Sequence, residues 1–233
     1  MVRGGAVIDE CTAAGGRHAR EDVLRAMAAS FHYLHGLFRA PGTEQWAWLN
    51  SAECGAFWRA LGEHLDIADA SEDPGLPADS GEYESQYIAA FEAGTPHAPL
   101  PLIESHHNRR DPVPRVLHEN VLFYQAFGLR LRSSANETAD HLRHQLEFVA
   151  HLFGLEAEAE AARGDAGAPV CPGTLSPENQ NRDQIRRARR EYLERHLSIW
   201  VPQAARIAAD APYPWVRRYL EMTRAAVTVA GSV

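Results

Sequence analysis

The reading of the fold turns on Glu137-Thr138-Ala139-Asp140-His141-Leu142-Arg143-His144-Gln145-Leu146-Glu147-Phe148-Val149-Ala150-His151-Leu152-Phe153. Leu142, Leu146, Val149, Leu152 and Phe153 recur at the spacing of one helical face, so the stretch predicts an amphipathic helix over about 138–155. Asp140 then falls in the first turn, where a carboxylate favours the positive end of the helix dipole. Asp140/His144 and Glu147/His151 are i,i+4 pairs, each able to share a face. His144, Glu147 and His151 also raise an alternative, an all-α metal-dependent enzyme. A carboxylate-bridged dimetal bundle repeats a Glu-x-x-His arrangement on further helices, and that repetition is absent.

The same period extends in both directions. Val23, Leu24, Met27, Phe31, Leu34, Leu37 and Phe38 mark a helix over 20–38, closed by Pro41-Gly42. Helices rich in aromatic residues follow over 43–50 and 53–67, then a loop over 71–81 and a helix over 82–93 that presents Tyr83, Tyr87 and Phe91. Residues 94–114, with Pro96, Pro99, Pro101, Pro112 and Pro114, form a proline-punctuated connection too long for a simple turn. Helices are predicted over 113–131, from Ser176-Pro177 to about His196, near Pro202 to Asp210, and from Pro214 onward. No strand alternation occurs. The expected class is all-α, a single-domain bundle of about nine helices over 20–231. Residues 1–19 read as a disordered tail, and 156–177 as a low-complexity mobile loop.

Composition narrows the function. The 233 residues carry a net charge of −8, unfavourable for general nucleic-acid binding, which depends on neutralising phosphates. Every basic residue other than histidine is arginine; the absence of lysine excludes a Schiff-base lysine and a P-loop. No apolar run reaches the ~20 residues of a membrane span. The first residues lack the pattern of a secretory signal, and a cytoplasmic location is expected. Cys11, Cys54 and Cys171 are too scattered for a disulfide framework or a zinc site. No metal and no cofactor is expected. No nucleophile elbow or dinucleotide fingerprint is present, and His118-Glu119 lacks the second histidine of a zinc-protease motif. Arg186-Arg187 and Arg189-Arg190, beside Glu191 and Glu194, read as a solvated helix face laced with ion pairs.

Five segments in order carry a resemblance: Tyr33-Leu34-His35-Gly36-Leu37-Phe38; Tyr87 with Phe91-Glu92-Ala93-Gly94; Pro99-Leu100-Pro101-Leu102-Ile103-Glu104-Ser105; Leu122-Phe123-Tyr124-Gln125-Ala126-Phe127-Gly128-Leu129; and Asn136 to Leu142 with Leu146-Glu147-Phe148-Val149. This series resembles the TorD/DmsD/NarJ family of molybdoenzyme maturation chaperones, and is most similar to the branch serving type II dimethyl-sulfoxide-reductase-like enzymes. The resemblance implies a TorD-like fold and a cytoplasmic chaperone without catalytic turnover. Its partner would be the catalytic molybdenum subunit, gripped at an N-terminal leader that often carries twin arginines until the cofactor is inserted. The chaperone would be a monomer or a homodimer. The implied peptide-binding positions are Asp140, His141, Pro99, Pro101, Glu104 and Ser105. Glu137, Glu147, Tyr87 and Gln145 join them here as neighbouring carboxylates, an aromatic groove residue and the site of a departure. Where the family often has Glu, this chain has Gln145; where it often has Met, this chain has Val149.

Overall fold

The structure is a computed structural model and describes residues 5–67, 73–94, 98–131, 137–165 and 177–233. Ten α-helices occur among them: α1 (Gly5–Leu37), α2 (Thr43–Leu49), α3 (Ala52–His64), α4 (Ser80–Tyr87), α5 (Glu104–His107), α6 (Val113–Ala126), α7 (Leu142–Asp165), α8 (Pro177–Arg195), α9 (Leu197–Ala208) and α10 (Pro214–Ser232). A π-helical turn, Ile88–Glu92, continues α4, with Ala93 N–H donating to the Ile88 carbonyl five residues back at 2.7 Å. All nine helices predicted from the sequence are present, and α5 is the addition. The all-α class holds: among the described residues the one extended pairing is an isolated bridge between Ile103 and His141.

Side chains set the ends of these helices. Ser51 caps α3 by accepting from Cys54 N–H at 3.1 Å, and Asp79 caps α4 by accepting from Gly81 and Glu82. α6 closes in a Schellman motif: Gly128, at φ +74°, donates to the Gln125 carbonyl and Leu129 to that of Tyr124. α3 closes in the same way, with Asp66 at φ +53° in the glycine position.

α1 and α7 form the most extensive helix pair, with the Phe31 and Phe153 rings stacked 5.8 Å apart. α8 covers α7, while α9 and α10 pack against each other. One continuous core results, in which Leu24, Leu34, Leu142, Leu146, Val149 and Leu152 are fully buried. Burying side chains of this size contributes roughly 1.5–3 kcal/mol each. A second concentration, Phe38, Trp58, Tyr83, Tyr87, Phe91, Trp215 and Tyr219, joins α1, α3, α4 and α10 through edge-on and tilted ring contacts.

Several boundaries differ from expectation. α1 begins at Gly5, well before Arg20, so most of the stretch read as a disordered tail is helix. That stretch is free of proline and rich in alanine, the best helix former, yet has no apolar stripe to announce it. α7 begins at Leu142 rather than Thr138, and continues to Asp165. The Glu/Ala alternation beyond Leu155 is therefore helix. Glu156 and Glu160, one turn apart and buried, meet Arg20, Arg182 and Arg189. The remainder of the expected mobile loop, 166–176, lies outside the described residues, as do residues 1–4 and 95–97. Pro202 lies inside α9, which starts at Leu197. Lacking an N–H, it forgoes the bond to the Ser198 carbonyl.

The arginine run also differs from a solvated face. Arg189 is fully buried, 2.9 Å from Glu156, with its guanidinium 4.2 Å from the centre of the Phe153 ring. It donates to the Ala230 carbonyl, and Arg186 and Arg190 donate to that of Val233. Cations thus cap the negative end of α10 and tie it to α8.

Candidate functional site

Two segments far apart in sequence are stitched together at the bridge between Ile103 and His141. Leu142 N–H donates to the Leu102 carbonyl at 2.8 Å, and Glu104 N–H to the Asp140 carbonyl at 3.0 Å. The proline connection is thereby fastened to the start of α7. Asp140 adds a side-chain bond: its Oδ2 accepts from Ser105 N–H at 2.9 Å, while Thr138 donates to its Oδ1. Asp140 therefore caps α5 from across the chain. His141 faces the other way. Its Nδ1 accepts from Arg143 N–H at 3.3 Å, so the imidazole caps α7. Burial drives the His141 pKa down to about 4, against the opposing pull of Glu137.

Beneath this junction lies a polar network inside the core. Glu104 accepts from Gln145 Nε2 at 2.5 Å, Asn108 Nδ2 at 3.2 Å and Asn120 Nδ2 at 3.3 Å, and His196 Nδ1 lies 2.9 Å from its Oε2. Gln145 is the connector: its Oε1 accepts from the Trp200 indole at 2.9 Å. Asn120 Oδ1 accepts from the Tyr192 hydroxyl at 2.6 Å, and the Tyr124 hydroxyl donates to the Ala139 carbonyl at 2.8 Å. Burial raises both phenols well above the usual tyrosine range. His107 stacks on Trp200 with centroids 5.2 Å apart, approaches the Pro101 carbonyl at 2.7 Å, and is held neutral by burial. The network locks α5 and its flanks to α6, α7, α8 and α9.

The expected binding residues divide by depth. Glu104, Asp140, Gln145 and Tyr87 are buried, at 1%, 0%, 0% and 3% exposure, and Tyr87 donates to the Phe38 carbonyl. Ser105, Pro101, His141 and Glu137 are half-buried at the junction, and Glu147 and Pro99 are exposed. Glu147 belongs to a cleft of about 450 Å³, lined also by His35, Leu129, Leu131, Arg143, His144 and His151. A neighbouring cleft of about 580 Å³ is lined by His32, Tyr33, Trp48, Phe57 and Glu53, and also by His35 and Arg143. Gly36 sits at its wall, where a Cβ would approach the Trp48 ring to 2.8 Å. His35 and Arg143 are the residues common to both clefts.

His35 Nδ1 lies 3.0 Å from the Arg143 carbonyl, and burial holds both His35 and His144 neutral. Arg143 Nη1 donates to Glu137 Oε1 at 2.5 Å; Glu137 Oε2 stands 3.3 Å from His144 Nε2 and 3.8 Å from His141 Nδ1. The clefts therefore share Arg143, whose guanidinium is held by Glu137, between their apolar and aromatic walls. His144, Glu147 and His151 share a cleft, but among the described residues no group of three or more His, Cys, Asp or Glu side chains is set to hold a metal ion. None of the described helices is long and apolar enough to cross a membrane.

Sequence reasoning did not single out Asn120, Tyr192, His196, Trp200, His35 or Arg143. Asn120 carried a signal: it sits between Val116 and Tyr124 at helical spacing, a polar residue on an otherwise buried stripe. Arg143 carried none, because its partner Glu137 lies in the non-helical approach to α7.

Comparison with known proteins places the chain among delta-subunit proteins. The nitrate reductase delta subunit family matches residues 49–206. The perchlorate reductase assembly chaperone protein of Dechloromonas aromatica (strain RCB) is 32% identical over 121 residues, 52% of this chain and 47% of that protein. The selenate reductase assembly chaperone protein of Thauera selenatis is 32% identical over 143 residues, 60% of this chain and 65% of that protein. The chlorate reductase assembly chaperone protein of Ideonella dechloratans is 27% identical over 181 residues, 78% of this chain and 76% of that protein. The match to the first two spans less than two thirds of their length.

Proposed function

Because the chain belongs to the nitrate reductase delta subunit family, we propose that it is a system-specific assembly chaperone. Its client is the catalytic subunit of a molybdopterin-containing oxidoreductase. It binds the client's N-terminal leader in the cytoplasm, as a monomer or homodimer, holds the apoprotein until the cofactor is inserted, and performs no catalysis itself. Three relatives named as assembly chaperones for perchlorate, selenate and chlorate reductases support this reading.

The observation that carries the reading on the structural side is the pair of adjoining clefts between α1 and the start of α7. A leader offers cationic side chains and an apolar stretch. The clefts offer the carboxylates Glu147 and Glu53 beside the apolar and aromatic walls Leu129, Leu131, Trp48 and Phe57, and Glu137 holds the Arg143 that lines both. That combination suits an extended or helical peptide better than a small substrate. In this reading Glu137, His141 and Glu147 touch the leader. Asp140, Glu104, Ser105 and Gln145 position them, with Tyr87, Pro99 and Pro101 supporting the flanks.

The test is the metal content of the client. With the gene for this chain deleted in its host, the molybdenum subunit is expected to accumulate with little molybdenum, and re-expression restores it. A fully loaded subunit in the deletion strain would overturn the proposal.

A further inference from the structure

Gly36 lies in the last turn of α1. Its backbone is ordinary for a helix, since the glycines at positive φ among the described residues are Gly75 and Gly128. Glycine inside a helix is less favourable than alanine, so a contact, not a conformation, accounts for it. A Cβ at position 36 would stand 2.8 Å from Cη2 of Trp48, 3.3 Å from Cζ2 and 3.4 Å from Cζ3. The indole thus lies on the bare backbone of α1, the close approach that glycine permits. The helix that carries Trp48 is fastened at the same point: buried Gln45 of α2 donates its Nε2 to the Gly36 carbonyl at 2.9 Å. Tyr33 is fixed too, its hydroxyl donating to the Cys54 carbonyl at 3.1 Å and its ring stacked 4.5 Å from that of Phe57. Gly36, Trp48, Tyr33 and Phe57 all line the cleft of about 580 Å³.

We propose that Gly36 is a positioning residue that sets the depth of this aromatic cleft, and that the cleft takes a large apolar side chain from the apolar run of the client's leader. Because α2 is tied to the Gly36 carbonyl, a methyl group at position 36 displaces the Trp48 ring and takes that depth away. Charge decides which part of the leader fits. The charged side chains that line the cleft are Arg39, Arg143 and Glu53. Arg143 is already held by Glu137, and the other two are one cation and one anion, so no surplus carboxylate is left there for the leader's arginines. Three aromatic rings favour an apolar group instead. This inference rests on the reading of the chain as a leader-binding chaperone.

The test is a fluorescence-anisotropy titration of the full chain with two labelled synthetic peptides. Both carry two adjacent arginines; the apolar run that follows is leucine and phenylalanine in one and alanine in the other. Wild type is expected to prefer the leucine–phenylalanine peptide. Gly36→Ala weakens its binding about tenfold and leaves the alanine peptide unchanged. In the double variant Gly36→Ala with Trp48→Phe, the shorter ring clears the added methyl group and the lost affinity returns. Gly154→Ala, a glycine of α7 with open space around it and outside the described clefts, binds as wild type. Trp48→Ala removes the wall without touching α1; it narrows the preference between the two peptides and gives a second reading should Gly36→Ala melt early. Equal losses on both peptides, or a loss that Trp48→Phe does not recover, would overturn the proposal as mere damage to packing. Gly36→Ala binding both peptides as wild type does would overturn it and leave the chaperone reading standing. No binding of either peptide by the wild type would overturn both.

Discussion

Gln145 is fully buried and bonded to both Glu104 and Trp200, and its side chain has to be an amide to do this. The nitrogen donates to a carboxylate while the oxygen accepts from an indole. A glutamate, the residue often found here in the family that the sequence resembles, would set a second carboxylate about 2.5 Å from Glu104. Like charges at that distance in the interior push a carboxyl pKa up. The sign follows. An introduced carboxyl whose folded pKa lies above its unfolded value leaves stability intact at low pH and removes it as pH rises. Gln145→Glu is therefore expected to cost about 2–3 kcal/mol at pH 8 and clearly less at pH 5, read from urea midpoints against wild type. An equal deficit at both pH values would contradict this account of the residue.

At the scale of elements, the junction of α5 and α7 shows what the sequence disclosed and what it withheld. The apolar stripe of α7 was legible because Leu142, Leu146 and Val149 advertise a period. The start of α7 was not, because its cap is the His141 imidazole and not the carboxylate beside it. Asp140 serves α5 instead, through a bond to Ser105 spanning 35 residues, which local pattern cannot reveal. α5 has four residues, too few for any periodicity. Some of the residues grouped as candidate binding positions do meet, where the proline connection joins the Asp140-His141 pair, but their depth was not legible. The capping role of His141 predicts a pH effect. Its Nδ1 must stay unprotonated to accept from Arg143 N–H, and its pKa lies at about 4, below the ordinary value of 6.5. A depressed pKa gives stability that is complete above the unfolded value and is lost as pH falls toward the folded one. Stability should therefore fall between about pH 6.5 and pH 4, with His35, His107 and His144 acting in the same direction. His141→Asn, which keeps a capping acceptor without a titrating ring, is expected to flatten part of that slope in thermal melts. An unchanged slope would remove His141 from the explanation.

Over the whole molecule, the long α1 and α7 form a rigid spine on which the buried network, the arginine clamp on α10 and the clefts are all built. The clefts lie along that spine beside the junction, so the interior polar groups hold the geometry while the partly exposed ones remain open to solvent. The acidic balance of the chain, −8 overall, favours a cationic partner and disfavours nucleic acid. The extension of α1 to Gly5 and of α7 to Asp165 makes this spine longer than periodicity predicts. The added turns of α7 are held by buried glutamate–arginine pairs instead of an apolar stripe. The central claim is that the spine and its clefts hold a client by its leader. The most direct measurement is co-expression of the full chain with the molybdenum subunit, intact or lacking its leader, followed by affinity purification and intact-mass analysis of the complex. The account predicts a stoichiometric complex with the leader uncleaved, and its loss when the leader is removed. A complex of equal yield without the leader, or none with it, would contradict the account.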